Sequence, residues 1–174
     1  LGINHNGSLS EAKKLAELAA EAGADFIKTQ MHISDAEMSG KAKEVVPSHC
    51  KESIYEIIDD CSLSIDEEYE LKTFIDSLGK EYLCTPFSFK AAEELKKIGI
   101  QAFKIGSGEM TDIPSLKKIA KFNLPMIVST GMSTSDEIRE TYIEILKINK
   151  KLVNYLILRY YNFHTLYKVL YDPN

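Results

Sequence analysis

Six short, continuously apolar segments recur along the chain, and longer stretches with the periodicity of amphipathic helices separate them. These segments are Leu1–Ile3, Asp25–Gln30, Tyr82–Thr85, Ala102–Ile105, Met126–Ser129 and Leu152–Leu158. They are too short and too uniformly apolar to have a solvated face, which is typical of parallel strands buried on both sides. The alternation predicts an α/β fold of about five to six βα units of parallel strands. Both an eight-stranded barrel and an open doubly wound sheet fit this pattern.

Capping signals mark where the intervening helices begin. They occur at Ser8–Glu11, Ser64–Glu67, Ser88, Asp112–Pro114 and Thr134–Glu137. Each combines a side chain that accepts hydrogen bonds from the first helical turn with a residue favoured inside that turn. Residues 31–63 depart from the alternation of strands and helices, because they form a long excursion with only a short helical piece near Ser53–Cys61. Long connections in compact domains usually serve a function, so we expect a functional role for this excursion.

Composition excludes several classes of protein. The 174 residues carry a net charge of −5 and a hydrophobic fraction of 44%, so a globular domain is expected and a broad nucleic-acid-binding surface is not. No apolar run approaches the roughly 18–20 residues of a membrane-spanning helix. Cys50, Cys61 and Cys84 lack metal-type spacing, which favours structural thiols in a reduced, cytoplasmic protein.

Polar residues gather where the predicted strands end. They are Asn4, His5 and Asn6, then Lys28 and Gln30, Thr85, Lys104 with Ser107 and Glu109, and finally Ser129 and Thr130. Parallel α/β folds build their sites at this edge, where strand ends and loops converge. Two lysines at equivalent places indicate an anionic ligand, because a desolvated ammonium is costly. The Gly-Ser-Gly turn at 106–108 lets backbone N–H groups approach such a ligand, so the pattern predicts a phosphate or carboxylate pocket.

Several of these residues also have a purely structural interpretation. A single Ser or Thr before Gly or Pro is common in turns. His5 fits a surface or capping position, and a lone strand lysine fits the rim of a sheet. Glu109 either caps the helix that follows it or handles a proton or hydroxyl of a second substrate. Binding an anion does not require a carboxylate, which favours the second role for Glu109.

Six motifs together resemble one family. GINHNG, IKTQ with the later SIYE, LCTPF, FKIGSGE and IVSTGM occur in the order and spacing of the sialic acid synthases, over residues 1–150. The resemblance implies the N-terminal portion of a (β/α)8 TIM barrel. It implies condensation of phosphoenolpyruvate with the open-chain aldehyde of an N-acetylated amino sugar, giving a nonulosonic acid and phosphate. It also implies assistance by a divalent metal, typically Mn²⁺, and a cytoplasmic homodimer of the complete protein.

The resemblance assigns roles to seven residues. The phosphoenolpyruvate-binding positions are Lys28, Thr85, Lys104, Ser107 and Ser129. Gln30 faces the sugar, and Glu109 is the catalytic acid near the reacting carbons. The family's metal-binding histidines are expected beyond Asn174, so no residue of this chain is assigned to the metal, His164 included. The identity of the amino sugar stays open, and we expect the 31–63 excursion to contribute to specificity.

The stretch after Lys150 departs from the family pattern. Residues 151–174 are rich in Tyr and Asn and lack the expected sixth-strand motif, so we expect a truncation or a change of reading frame near Lys151–Leu158. An acid is expected before GINHNG, which points to residues missing before Leu1. A chain of this extent is expected to have little synthase activity alone. Two other functions remain open, namely a class I aldolase using a Lys28 or Lys104 Schiff base and a non-catalytic phosphate-binding module.

Overall fold

A computed structural model describes residues 1–153 of the chain. The chain forms two compact units, Leu1–Gln101 and Ala102–Asn174. Each unit combines parallel strands with helices, which confirms the predicted α/β class. The predicted division at residue 150 stays a prediction, and most of the 151–174 segment lies outside the described residues.

The first unit places two parallel strands among five α-helices. Its elements are α1 (Leu9–Glu21), β1 (Phe26–Met31), α2 (Ser34–Glu37), a 3-10 helix (Gly40–Lys43), α3 (Ile54–Asp60), α4 (Ile65–Ser77), β2 (Glu81–Pro86) and α5 (Phe89–Ile98). β1 and β2 pair from Phe26 opposite Glu81 to Met31 opposite Pro86. The predicted first strand is reduced to one parallel bridge between Gly2 and Thr29, because the backbone turns directly afterwards and Asn6 N donates to Ile3 O.

The second unit continues the alternation of strand and helix. Its described elements are β3 (Phe103–Ile105), α6 (Ile113–Ala120), β4 (Met126–Val128), α7 (Ser135–Leu146) and β5 (Leu152–Val153). β4 pairs in parallel with both β3 and β5. The predicted sixth strand therefore begins at Leu152 as expected, and its continuation to Leu158 lies outside the described residues.

Five helices begin at the capping residues that the sequence predicts, and α3 begins at a sixth cap, Ser53, which was not predicted. Ser53, Ser64 and Thr134 form reciprocal capping boxes with the glutamates three residues later. Ser8, Ser88 and Asp112 accept a backbone N–H from the first turn of α1, α5 and α6. Each bond satisfies a donor that the helix leaves free, so local sequence determines where these helices start.

The two faces of β1 differ in burial, and this difference positions the polar residues. Ile27, Thr29 and Met31 are buried, whereas Lys28 and Gln30 lie on the opposite face and are partly exposed. Alternate residues of a strand point to opposite faces, so Lys28 and Gln30 share one face.

A buried chain of hydroxyl and carboxyl groups crosses the other face of this strand pair. Thr29 Oγ1 donates to Tyr82 Oη at 2.9 Å, and Tyr82 Oη donates to Glu68 Oε2 at 2.6 Å. Glu68 is only 1% exposed. Burial raises the pKa of Glu68 to about 7, and the hydrogen bond from Tyr82 offsets part of this increase.

Glu68→Gln is expected to flatten the pH dependence of stability. With a raised folded-state pKa, Glu68 contributes stability that is fully present below about pH 4.5 and is lost as the pH rises towards 7. Glutamine keeps an acceptor for Tyr82 and never ionises. The difference in free energy of unfolding between variant and wild type should therefore increase by about 2–3 kcal/mol, in favour of the variant, as the pH rises from 4.5 to 7.5. Urea titrations across this range measure the increase. Exposed Glu17→Gln is the control, and parallel pH profiles of wild type and Glu68→Gln would contradict the prediction.

Candidate functional site

The second unit holds a buried lysine at the ends of two neighbouring strands. Lys104 lies in β3, is 8% exposed, and donates from Nζ to Ile105 O at 2.6 Å and to Ser129 Oγ at 2.5 Å. Ser129 directly follows β4, and its backbone N–H donates to Ile105 O. The predicted residues Lys104 and Ser129 are thus brought into direct contact, although 25 positions separate them in sequence. This arrangement contradicts the interpretation of Lys104 as a solvent-facing rim residue.

The loops after β3 and β4 lie against each other beside this lysine. A Cβ placed on Gly131 would be 3.8 Å from Cβ and Oγ of Ser107, so the two loops lie close together. Ser107 is the middle residue of the Gly-Ser-Gly turn. The structure therefore places Ser107 on a loop close to the loop that carries Ser129, and we call Lys104, Ser107 and Ser129 the lysine–serine cluster.

Glu109 lies in the turn between β3 and α6. Its Oε2 atom is shielded from solvent, and its backbone carbonyl accepts from Asp112 N at 3.0 Å. The N-cap of α6 is Asp112, whose side chain accepts from Ser115 N at 3.2 Å. The capping function that was one interpretation of Glu109 thus belongs to Asp112. Its assignment as the catalytic acid stays a prediction.

The first unit brings Gln30 and Thr85 side by side. Gln30 lies opposite Thr85 in the parallel pairing of β1 and β2, and Lys28 lies two residues earlier on the face of Gln30. Thr85 is buried, and Gln30 Oε1 would lie 3.4 Å from a Cβ on Gly2. The three predicted residues of this unit therefore share one face at the carboxyl end of the strand pair.

Two histidines in this unit are buried near the same strand ends. His5 is 2% exposed, which contradicts its interpretation as a surface residue. Burial lowers the pKa of its imidazole below the usual value near 6.5. His32 directly follows β1, and its Nδ1 lies 3.0 Å from both carboxylate oxygens of Glu37. Its ring stacks on Phe87, with centroids 4.2 Å apart.

Sequence reasoning did not single out His32, Glu37 and Phe87. The signal that could have found them is their position, because His32 and Phe87 each follow the last residue of a strand. A histidine with an acid five residues later is a weak signal by itself. Only the structure shows that the acid reaches the imidazole.

Contacts among its own side chains stabilise the 31–63 excursion. Tyr55 Oη donates to Asp35 Oδ1 at 2.6 Å, and Lys43 Nζ lies 4.2 Å from the centre of the Tyr55 ring. The hydrogen bond to Asp35 is the main reason that the pKa of Tyr55 rises to about 12. The predicted short helix is confirmed as α3, whereas α2 and the 3-10 helix were not predicted.

Neither a metal site nor a membrane span occurs in the part of the chain that the structure describes. Residues 1–153 contain no group of three or more His, Cys, Asp or Glu side chains that could hold a metal ion. No helix among them is long and apolar enough to cross a membrane. No described residue is therefore assigned to the metal that the family resemblance implies, and we derive no chemical step through it. Cys50, Cys61 and Cys84 are free thiols.

These features define a parallel α/β protein with a buried lysine–serine cluster at the carboxyl ends of its strands. The NeuB family model matches residues 15–161. The chain therefore belongs to the NeuB family, which confirms the resemblance to the sialic acid synthases.

Individual relatives agree with this assignment. The chain is 39% identical over 162 residues to an N,N'-diacetyllegionaminic acid synthase of Campylobacter jejuni, covering 90% of this chain and 48% of that protein. It is 36% identical over 163 residues to the synthase of the same name from Legionella pneumophila, covering 90% and 46%. The chain spans about half the length of the curated relatives it matches.

A solved structure supports the barrel-type fold. The N-acetylneuraminic acid synthetase of Leptospira borgpetersenii, crystallised with citrate, matches with a TM-score of 0.80 and 26% identity, over 92% of this chain and 53% of that one. The likeness confirms the prediction of a partial (β/α)8 barrel over the open doubly wound alternative.

Proposed function

We propose that the protein containing this chain condenses phosphoenolpyruvate with the aldehyde of an N-acetylated amino sugar, giving a nonulosonic acid and inorganic phosphate. The observation that carries the proposal is the buried lysine–serine cluster at strand ends in a chain of the NeuB family. The names of the relatives support the product class, because both are synthases of a nonulosonic acid.

The lysine–serine cluster would bind the anionic part of phosphoenolpyruvate. A buried ammonium is costly to desolvate, and an anionic ligand offsets that cost. The hydroxyls of Ser107 and Ser129 can each donate a hydrogen bond to a phosphate or carboxylate oxygen. Holding the substrate in one orientation leaves its C3 carbon positioned for attack on the aldehyde carbon.

The remaining predicted residues have roles that follow the family resemblance. Lys28 and Thr85 would bind phosphoenolpyruvate, and Gln30 would bind the sugar through its amide. Glu109 would exchange a proton with the aldehyde oxygen or bind a sugar hydroxyl. Release of inorganic phosphate with formation of a 2-keto acid consumes one water, so the reaction balances without an oxidant or reductant. A metal requirement, a cytoplasmic location and a homodimer belong to the same proposal.

The proposal is tested on the complete gene product that contains this chain. Phosphate release is measured with phosphoenolpyruvate, Mn²⁺ and either N-acetylmannosamine or a di-N-acetylated hexose. Sugar-dependent release is expected, together with a product containing the new carbon–carbon bond. Borohydride trapping with pyruvate, detected by mass spectrometry, would instead support a Schiff-base aldolase. Binding of phosphoenolpyruvate without turnover of either sugar would support a non-catalytic phosphate-binding module, and either result overturns the proposal.

A further inference from the structure

Three buried polar atoms at the carboxyl edge of β1 have no hydrogen-bond partner among residues 1–153. They are Nδ1 of His5, Nε2 of His32 and Oγ of Ser34. The three residues are 2%, 8% and 5% exposed. Buried polar groups are nearly always hydrogen-bonded, and leaving one unpaired is destabilising. Three such atoms, on residues to which the family resemblance assigns no role, therefore indicate a ligand.

The ring of His32 is held so that its unpaired nitrogen is available. A carboxylate only accepts hydrogen bonds, so Nδ1 of His32 carries the proton that lies between it and Glu37. The side chains of His32 and Glu37 are 5% and 8% exposed, and the stack on Phe87 fixes the plane of the ring. Nε2 is then the ring nitrogen that is left to meet a ligand.

The three residues belong to one neighbourhood, next to Gln30. The bridge between Gly2 and Thr29 brings the loop of His5 to β1, and Gly2 lies against the amide oxygen of Gln30. His5 and His32 are close enough for a charge on His32 to lower the pKa of His5, although burial lowers it more. Ser34 begins α2, two residues after His32.

We propose that His5, His32 and Ser34 form a subsite for a hydroxyl or acetamido group of the acceptor sugar, with Glu37 as a positioning residue for His32. The inference rests on the proposed function and names residues that determine its sugar specificity. A sugar hydroxyl both donates and accepts hydrogen bonds, so it can pair with Nε2 of His32 and with the Ser34 hydroxyl. An acetamido group offers an N–H donor and a C=O acceptor and can pair with the same atoms.

The chemistry of the cluster favours a neutral group over an anion or a metal ion. Glu37 is within hydrogen-bond distance of His32, and Glu67 and Glu68 also interact electrostatically with these histidines. A further negative charge would be repelled there. Two imidazoles and a hydroxyl fall short of the ligand set of a typical metal site, consistent with the lack of a metal-binding group among residues 1–153.

Ser34→Ala in the complete gene product tests whether the Ser34 hydroxyl contacts the sugar or stabilises the fold. Removing a hydroxyl that has no partner in the protein should leave the melting temperature unchanged or raise it. KM for the better of the two sugars, N-acetylmannosamine or the di-N-acetylated hexose, should rise about 2–10-fold, and KM for phosphoenolpyruvate should stay constant. Ser39→Ala is the matched control, since Ser39 is exposed in the same excursion. A lower melting temperature with an unchanged sugar KM would show that Ser34 bonds a structural water, which overturns the subsite.

A second variant removes the nitrogen of His32 without leaving Glu37 unpaired. His32→Phe combined with Glu37→Leu replaces both buried partners by apolar groups and keeps the ring stack on Phe87, so folding should be retained. The sugar KM should rise by about 10-fold or more while KM for phosphoenolpyruvate is maintained. If wild type turns over and all variants keep its sugar KM, only the subsite is overturned. If wild type releases no phosphate with either sugar, the proposed function itself fails.

Discussion

Lys104→Met is expected to lower kcat/KM for phosphoenolpyruvate by about 100-fold or more in the complete gene product, with only a small change in stability. Methionine has a similar length and is readily accommodated in a buried site. Removing the ammonium ends its desolvation cost but also ends its hydrogen bonds to Ile105 O and Ser129 Oγ, so the two effects on stability oppose each other. Catalysis is weakened because the charge that would meet the phosphate or carboxylate is removed. Activity should therefore fall by far more than stability changes.

The contrast between activity and stability distinguishes this prediction from a folding defect. Steady-state kinetics measure kcat/KM, and thermal unfolding monitored by circular dichroism measures stability. Lys121→Met, an exposed lysine of the same unit, is the control and should change neither. If Lys104→Met unfolds at a clearly lower temperature, Lys104 has a structural role. If it retains wild-type kcat/KM, the lysine–serine cluster does not bind the substrate.

Gly7→Ala is expected to destabilise the first unit by about 3 kcal/mol, the largest single effect on folding that we predict. Gly7 has a φ of +73°, a conformation that glycine adopts far more easily than other residues. A Cβ at this position would lie 2.3 Å from the backbone oxygen of Asp60. Backbone atoms at the end of α3 cannot move aside as a flexible side chain could. The loop that carries His5 would have to separate from the end of α3.

Gly23→Ala isolates the steric part of this effect. Gly23 has a φ of +89°, and a Cβ there would meet nothing within 4 Å. Both substitutions restrict the unfolded chain equally and impose the same type of backbone strain, so Gly23→Ala should cost only about 1 kcal/mol. Urea unfolding of the chain measures both values. Equal destabilisation by the two variants would show that the contact between Gly7 and Asp60 is unimportant.

Much of the secondary structure could be predicted because its signals are local. The N-caps Ser53, Ser64 and Thr134 bond within one helical turn, so four consecutive residues contain the information. The strand Leu1–Ile3 was predicted by the same reasoning, but the turn after Ile3 leaves it only one bridge. Local patterns show which segment can pair as a strand, and tertiary contacts decide how many of its residues actually pair in the sheet.

The candidate site was less accessible to sequence reasoning. Placing polar residues at strand ends predicted that Lys104 and Ser129 would lie close together, and the structure shows them in contact. The sequence predicts Asp112 as a cap but leaves a capping role open for Glu109 as well, and only the structure shows that Asp112 is the residue that caps α6 through its side chain. The pairing of His32 with Glu37 depends on how α2 folds back after β1. The hydrophobic pattern of the sequence does not predict that arrangement.

The sequence by itself determined the α/β class, the starts of five helices, the family and the strand ends where the polar residues collect. These properties follow from periodicity, capping chemistry and the order of motifs, which are readable along the chain. Only the tertiary structure decided that Lys104 and His5 are buried, that Gly7 lies against Asp60, and that three polar atoms near β1 lack a partner within residues 1–153. Burial and hydrogen bonding depend on residues distant in sequence, and these distant contacts arise only when the chain folds.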